Sequence, residues 1–115
     1  SDYSEVLSVT LEAVNVDDTQ QLPTVYALHQ NYPNPFNPVT NLTYDLPENE
    51  TVSFIIYDVK GHRVRSIING KQSAGYHSIR WDATNDHGEA VSAGVYIYMI
   101  QAGNFTKTKK MVLLK

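Results

Sequence analysis

Apolar and polar residues alternate along much of this chain with the period of a β-strand. Leu7, Val9, Leu11 and Ala13 alternate with Ser8, Thr10 and Glu12, which predicts a strand over residues 6–14. Leu42, Tyr44 and Leu46 alternate with Asn41, Thr43 and Asp45, the pattern of a strand with one face in a core and one in water. Residues 51–58 (TVSFIIYD) are β-branched and aromatic on both parities, which predicts a strand covered on both faces. Further strands are predicted over residues 62–68, 76–82, 94–102 and 105–114. No eleven-residue window carries the apolar stripe of an amphipathic helix. The fold class that follows is all-β: an immunoglobulin-like antiparallel β-sandwich of about seven strands. Its core is expected to hold Phe54, Ile56, Ile79, Trp81 and Val95.

The connections agree with that reading. Pro47 and polar neighbours separate two strands, Asp58-Val59-Lys60-Gly61 has the composition of a hairpin turn, and Ala102-Gly103-Asn104 has another. Gly61, Gly75, Gly88 and Gly94 are the structural turn positions. Residues 15–31 are polar and irregular, so residues 1–22 read as an upstream linker or first strand and residues 23–115 as the sandwich domain. The start, SDYSEV, has no basic n-region and no initiator Met, and reads as the beginning of an excised piece.

The segment Asn31-Tyr32-Pro33-Asn34-Pro35-Phe36-Asn37-Pro38 departs from this alternation. Each proline fixes its own φ and pushes the preceding residue out of the helical region, which predicts a stiff, extended, polyproline-like arm. Tyr32 and Phe36 are expected to anchor it, and Asn34 and Asn37 to cap local turns. Its plainest role is a rigid lead-in that seals a sheet edge; a peptide-recognition groove is the alternative.

Composition excludes more than it assigns. With 115 residues the chain has room for one ordinary core. It is 42% hydrophobic and 18% charged, and its mean hydropathy of −0.33 is that of a globular domain. There are no cysteines, so thiolate metal sites and cysteine nucleophiles are excluded together. The net charge of −3 hides a split. Residues 1–59 hold nine acids and no Lys or Arg, whereas residues 60–115 hold all nine bases and three acids. Antiparallel pairing that brings the halves together and cancels them is the simplest account; a basic tail that meets a partner is the other. A pI near 5.7 speaks against nucleic-acid binding.

Candidate chemistry is sparse. His29, His62, His77 and His87 lack the paired spacing of zinc ligands. His77, Asp82 and Ser92 can be drawn as a triad, but no nucleophile-elbow motif supports it. Asp82–Glu89 offers oxygen ligands for a cation, yet departs from the alternate-position spacing of a calcium loop and reads better as an Asx-rich turn. Trp81, Tyr76, Tyr96 and Tyr98 could form a sugar-stacking platform, but aromatics in register with isoleucines usually pack in a core. Asn41, Asn49 and Asn104 fit a short glycosylation pattern that arises readily by chance.

Several spaced motifs, in order, resemble one family. They are the Asn31–Pro38 segment, Leu42-x-Tyr44-x-Leu46-Pro47, Ile56-Tyr57-Asp58-x-x-Gly61, Ala74-Gly75-Tyr76-His77-x-x-x-Trp81-Asp82, Gly94-Val95-Tyr96-x-Tyr98 and Lys110–Lys115. Over residues 25–115 the chain resembles the type A C-terminal sorting domain of type IX secretion system cargo, and its latter half resembles the immunoglobulin-like domain of the flagellar hook-cap protein. Asn41 departs from the family, which usually has an apolar or β-branched residue there.

The resemblance implies a small sandwich that directs an upstream secreted protein across the bacterial outer membrane, for release or cell-surface attachment, after passage through the periplasm. It implies no catalysis by the domain itself, no cofactor and no metal. Its partners are the secretion machinery and the upstream cargo in the same chain, with no nucleic acid and no membrane insertion. The lead-in motif falls on Pro33, Asn34, Pro35, Phe36, Asn37 and Pro38. Recognition by the translocon is expected to fall on Lys107, Lys109, Lys110, Met111, Leu113, Leu114 and Lys115. The alternative is an accessory carbohydrate-binding or structural immunoglobulin-like module of a secreted enzyme.

Overall fold

The structure, a computed structural model, describes residues 22–114. Seven strands follow in order: β1 (Ala27–Leu28), β2 (Thr40–Leu46), β3 (Glu50–Asp58), β4 (Arg63–Gln72), β5 (Gly75–Trp81), β6 (Gly94–Ala102) and β7 (Phe105–Leu113). They form two antiparallel sheets, one of order β1-β2-β5 and one of order β4-β3-β6-β7. The strand predicted over residues 6–14 lies outside the described residues.

Period-2 alternation decides which side of each strand meets the other sheet. Leu42, Tyr44 and Leu46 of β2 are fully buried, as are Val52, Phe54 and Ile56 of β3. Tyr96, Tyr98 and Ile100 of β6 and Met111 and Leu113 of β7 complete the inner faces. Aromatic rings interlock both between the sheets and within the four-stranded one. Trp81 meets Tyr96 edge-on with ring centroids 5.5 Å apart, and Phe54 stacks on Tyr98 at 5.9 Å. Burying a side chain of this size contributes roughly 1.5–3 kcal/mol relative to leaving it exposed, so this aromatic spine is a main source of cohesion.

The structure corrects five sequence expectations. Val95 is 39% exposed and so leaves the predicted core, because it sits on the outer face of the four-stranded sheet, opposite Val112. Residues 51–58 are covered on one face only: Ile55 and Tyr57 are half-buried by strand neighbours, with no second layer over them among the described residues. β4 runs on through Gly70 to Gln72. A short strand, β1, forms within the stretch read as irregular, pairing Ala27 with Asp45 and Leu28 with Tyr44. Ile79 is half-buried against the core rather than fully inside it.

The β3–β4 turn shows local chemistry at work. The Asp58 carboxylate accepts the amides of Lys60 and His62, each at 2.9 Å. The His62 amide bond, ahead of the Lys60 bond and the nearby charges, holds that carboxyl below the usual carboxylate range. Gly61, Gly75, Gly88 and Gly94 take φ values of +86°, +146°, +79° and +149°. In the β6–β7 turn Gly103 has φ +58°, and a Cβ there would stand 2.6 Å from the Glu50 carboxylate. The positive φ is what favours glycine at that corner, since the flexible end of Glu50 can swing aside.

Candidate functional site

The open sides of the sandwich are where the described chain differs most from plain alternation. The 31–38 segment is bent and pinned, not an extended arm: bends fall at residues 33–35, between bridges at Tyr32 and Phe36, and again at residues 37–38. Its three X-Pro bonds, before Pro33, Pro35 and Pro38, are cis. Phe36 is 1% exposed and its ring lies 5.8 Å from Trp81. Tyr32, expected as a second anchor, is 78% exposed instead, because the bridge to Asn41 holds its backbone alone.

This segment runs along the free edge of β7. The Phe36 amide donates to the Val112 carbonyl at 2.9 Å, and the Leu114 amide donates to the Phe36 carbonyl at 2.8 Å. The Asn34 side-chain oxygen accepts the Val112 amide at 3.0 Å, so it caps a strand 78 residues away and not a local turn. Gln30 reaches the Lys110 carbonyl through its side-chain amide at 2.8 Å. Exposed ladder groups invite pairing with other chains; here residues 30–36 occupy them from Lys110 to Leu114.

A buried polar knot holds the strap in place. Asn31 is 2% exposed. Its amide donates to the Tyr98 hydroxyl at 2.8 Å, and its side-chain nitrogen donates to the Pro33 carbonyl and the Thr40 hydroxyl. The Tyr98 hydroxyl in turn donates to the His29 carbonyl at 2.7 Å, and the Thr40 hydroxyl to the Pro33 carbonyl at 2.9 Å. Burial pushes the Tyr98 phenol up to about 12. Every member is satisfied, which is the condition for a buried network to be favourable. Sequence reasoning missed Asn31, Gln30 and Tyr98 as one unit. Its only trace is the density of Asn and Pro, which says nothing of partners 67 and 80 residues away.

A second strap closes the opposite side. The loop from Asp82 to Val91 folds on itself, the Asn85 side-chain oxygen accepting the amides of His87 and Glu89. It also lies along the edge of β4: the Asp86 amide donates to the Val64 carbonyl, and the Asp86 carboxylate accepts the Ser66 amide and pairs with Arg63 at 3.2 Å. The Thr84 hydroxyl bonds Asp82 at 2.5 Å and, ahead of the nearby Arg65 charge, holds that carboxyl below its usual range. Among the described residues no three His, Asp or Glu side chains converge on a common point.

The remaining candidates are dispersed. His77 stacks on Tyr44 and bonds the Ser73 carbonyl, while Asp82 bonds Thr84 and the Ser92 carbonyl accepts the Tyr96 hydroxyl. The three drawn as a triad thus point to separate partners. Trp81, Tyr96 and Tyr98 are buried and only Tyr76, 67% exposed, is left of the sugar-platform set. In the tail, Met111 and Leu113 are spent on the core, while Lys107, Lys110 and Leu114 are exposed and Lys109 is half-buried; Lys115 lies outside the described residues. Among the described residues the two charge halves form no Lys or Arg ion pair with each other. The single Lys or Arg pair with a carboxylate among the described residues, Arg63–Asp86, lies within the basic half. No helix among the described residues is long and apolar enough to cross a membrane.

Comparison with solved structures finds similar folds in several proteins. The first is latent, dimeric PorU from Porphyromonas gingivalis, with a TM-score of 0.61 and 22% identity over 78% of this chain. PorZ, an essential surface component of the type IX secretion system of the same organism, follows with a TM-score of 0.54 and 18% identity over 76% of the chain. FlgD from P. aeruginosa has a TM-score of 0.51 and 25% identity, covering 69% of this chain and 67% of its own. The chain spans only 9% of PorU and 11% of PorZ. No curated protein matches the sequence. The FlgD Ig-like domain family matches residues 36–105, from the Phe36 anchor to the start of β7. By that match, over more than half its length, the chain belongs to the FlgD Ig-like domain family.

Proposed function

We propose that this domain is a secretion and sorting module, which directs the protein carrying it through a type IX secretion machinery for release or attachment at the cell surface. One observation carries the reading. The family match ends where β7 begins, and the strand beyond it is fastened to the lead-in segment before it by Gln30, Asn34 and Phe36. Past the matched residues the chain presents a fixed terminal strand whose Lys107, Lys109 and Lys110 have no carboxylate partner among the described residues. Unpaired cations on a rigid strand steer encounter with an acidic partner, and that steering weakens with salt. The likeness of fold to PorU and PorZ supports the same direction. In this reading the module catalyses nothing, needs no cofactor, inserts in no membrane and works on its cargo's behalf.

A structural immunoglobulin-like role is the second reading, favoured by the two-thirds overlap with FlgD. Export separates the two. The 115-residue chain is fused to a periplasm-directed reporter in a host with the type IX machinery. The reporter is expected in the medium or on the cell surface; retention of a folded fusion in the periplasm would overturn the sorting role. Lys109→Ala with Lys110→Ala is expected to cost no more than about 0.5 kcal/mol of stability and to reduce export. Undiminished export would assign those lysines to edge protection alone.

A further inference from the structure

The two open sheets have four edges, at β1, β7, β4 and β5. Three of them carry devices that blunt pairing with other chains. β1 is two residues long. β7 is covered by the strap and carries Lys107, Lys109 and Lys110. β4 breaks register twice against β3 and takes Asp86 along Val64 and Ser66. β5 has none of these: it runs seven residues without proline or lysine, in unbroken register with β2.

The backbone groups on that edge can be named. The Thr43 carbonyl accepts the His29 amide and Asn41 exchanges two bonds with Tyr32, so Asn41 and Thr43 turn their backbone groups away from β5. By alternation Thr40, Leu42, Tyr44 and Leu46 bond their β5 partners Trp81, Ile79, His77 and Gly75. The N–H and C=O groups of Tyr76, Ser78 and Arg80 therefore point off the sheet, and none has a partner among the described residues. Beside them a cleft of about 190 Å³ opens between β5 and β4, lined by Arg65, Ile67, Arg80, Trp81 and Asp82. Arg65 is held by Thr84 and Asn85, and the Asp82 carboxylate by the Thr84 hydroxyl. Arg80 is exposed and has no carboxylate partner among the described residues.

We propose that the β5 edge takes an extended peptide of a partner protein as an added strand, with a carboxylate of that peptide on Arg80. The edge offers backbone donors and acceptors at Tyr76, Ser78 and Arg80, which is what strand addition uses. Side chains of an added strand alternate between two surroundings. On the inner side lie Ile67 and Ile79, both only half-buried, which calls for apolar residues. On the outer side lie Tyr76 and Arg80. Charge complementarity sets the partner there, because a guanidinium without an ion-pair partner binds a carboxylate through two parallel hydrogen bonds. A second copy of the sandwich is disfavoured, since each copy carries its Asp82–Val91 loop on this same side, along β4. A single strand needs only β5. The site is separate from the β7 lysines, so it and the sorting role stand or fall independently.

The test uses the full chain and two synthetic peptides, Thr-Val-Thr-Val-Glu-Val-Thr and the same peptide with Gln for Glu. Amide hydrogen exchange is followed residue by residue by NMR. In the chain alone the Tyr76, Ser78 and Arg80 amides are expected to exchange fast while those of His77 and Ile79 exchange slowly. The Glu peptide is expected to slow the first three several-fold, and to bind several-fold more tightly than the Gln peptide. Ser78→Pro sets a ring on the edge without removing a bond to β2; it is expected to abolish the protection with Trp81 fluorescence unchanged. Arg80→Gln is expected to erase the preference for Glu over Gln. Slow exchange of the three amides before peptide is added would show the edge already covered, by the rest of the chain or, where it depends on protein concentration, by a second copy. That result overturns the proposal, as would no slowing up to about 1 mM peptide, equal binding of the two peptides, or protection that survives Ser78→Pro. Should Ser78→Pro fail to fold, the Glu peptide with an N-methylated backbone is added to the unaltered chain: lost protection supports strand addition, and undiminished protection overturns it.

Discussion

Single side chains here do their work through what they leave unsatisfied as much as through what they bond. Tyr44 is fully buried, its ring stacked 5.0 Å from His77 and tilted against Phe54, and its hydroxyl has no hydrogen-bond partner. Burial alone pushes that phenol up to about 12. Tyr98, one sheet away, carries a comparable shift, yet its hydroxyl bonds both Asn31 and His29. The two tyrosines therefore answer truncation differently. Tyr44→Phe removes an orphaned group and is expected to leave stability unchanged or raise it by up to about 1 kcal/mol, whereas Tyr98→Phe strands the Asn31 amide and costs about 1–3 kcal/mol. Urea denaturation of both variants checks this; a loss on Tyr44→Phe equal to that on Tyr98→Phe would mean that Tyr44 has a partner. No sequence pattern distinguishes these tyrosines, since both sit at inward positions of alternating strands.

Among the elements, the strap from Gln30 to Phe36 is what turns an edge strand into a closed one. It spends one aromatic anchor and several backbone bonds on β7. Phe36→Ala is expected to cost about 3–5 kcal/mol, the range for a buried aromatic, and to free the Val112 and Leu114 ladder groups, so that the variant associates at high concentration. Tyr32→Ala removes an exposed ring and is expected to change stability by less than about 0.5 kcal/mol. Light scattering and denaturation together test the pair; a monomeric Phe36→Ala protein with little loss of stability would mean the strap is not what protects the edge. The strap was partly legible in advance: its prolines and Asn residues marked a rigid, edge-sealing lead-in. Which residue anchored it was not. Tyr32 and Phe36 are equally apolar on paper, and only their positions relative to Trp81 separate them.

At the scale of the whole molecule, the two straps join the sheets along both open sides, Phe36 reaching Trp81 and the Asp82–Val91 loop holding β4. Sheets tied at both sides are expected to unfold together. Trp81, the only tryptophan, is 1% exposed, so its fluorescence and the far-ultraviolet circular dichroism should trace one coincident transition; two separated transitions would mean that the sheets melt independently. Strand class, the positions of most strands and the inward set Leu42, Tyr44, Leu46, Phe54 and Ile56 were determined by the sequence alone, because period-2 burial is a local property of each strand. The turn glycines were equally local. Tertiary structure alone decided what neighbouring sheets cover. Val95 and Ile55 are as apolar as Phe54, yet they face outward, because side-chain chemistry states a preference for burial while the number of layers decides whether it is met. It decided also that Asn34 bonds Val112 and not its own turn, and that Lys110 has no carboxylate partner among the described residues, since such pairings depend on which distant strand the fold brings alongside.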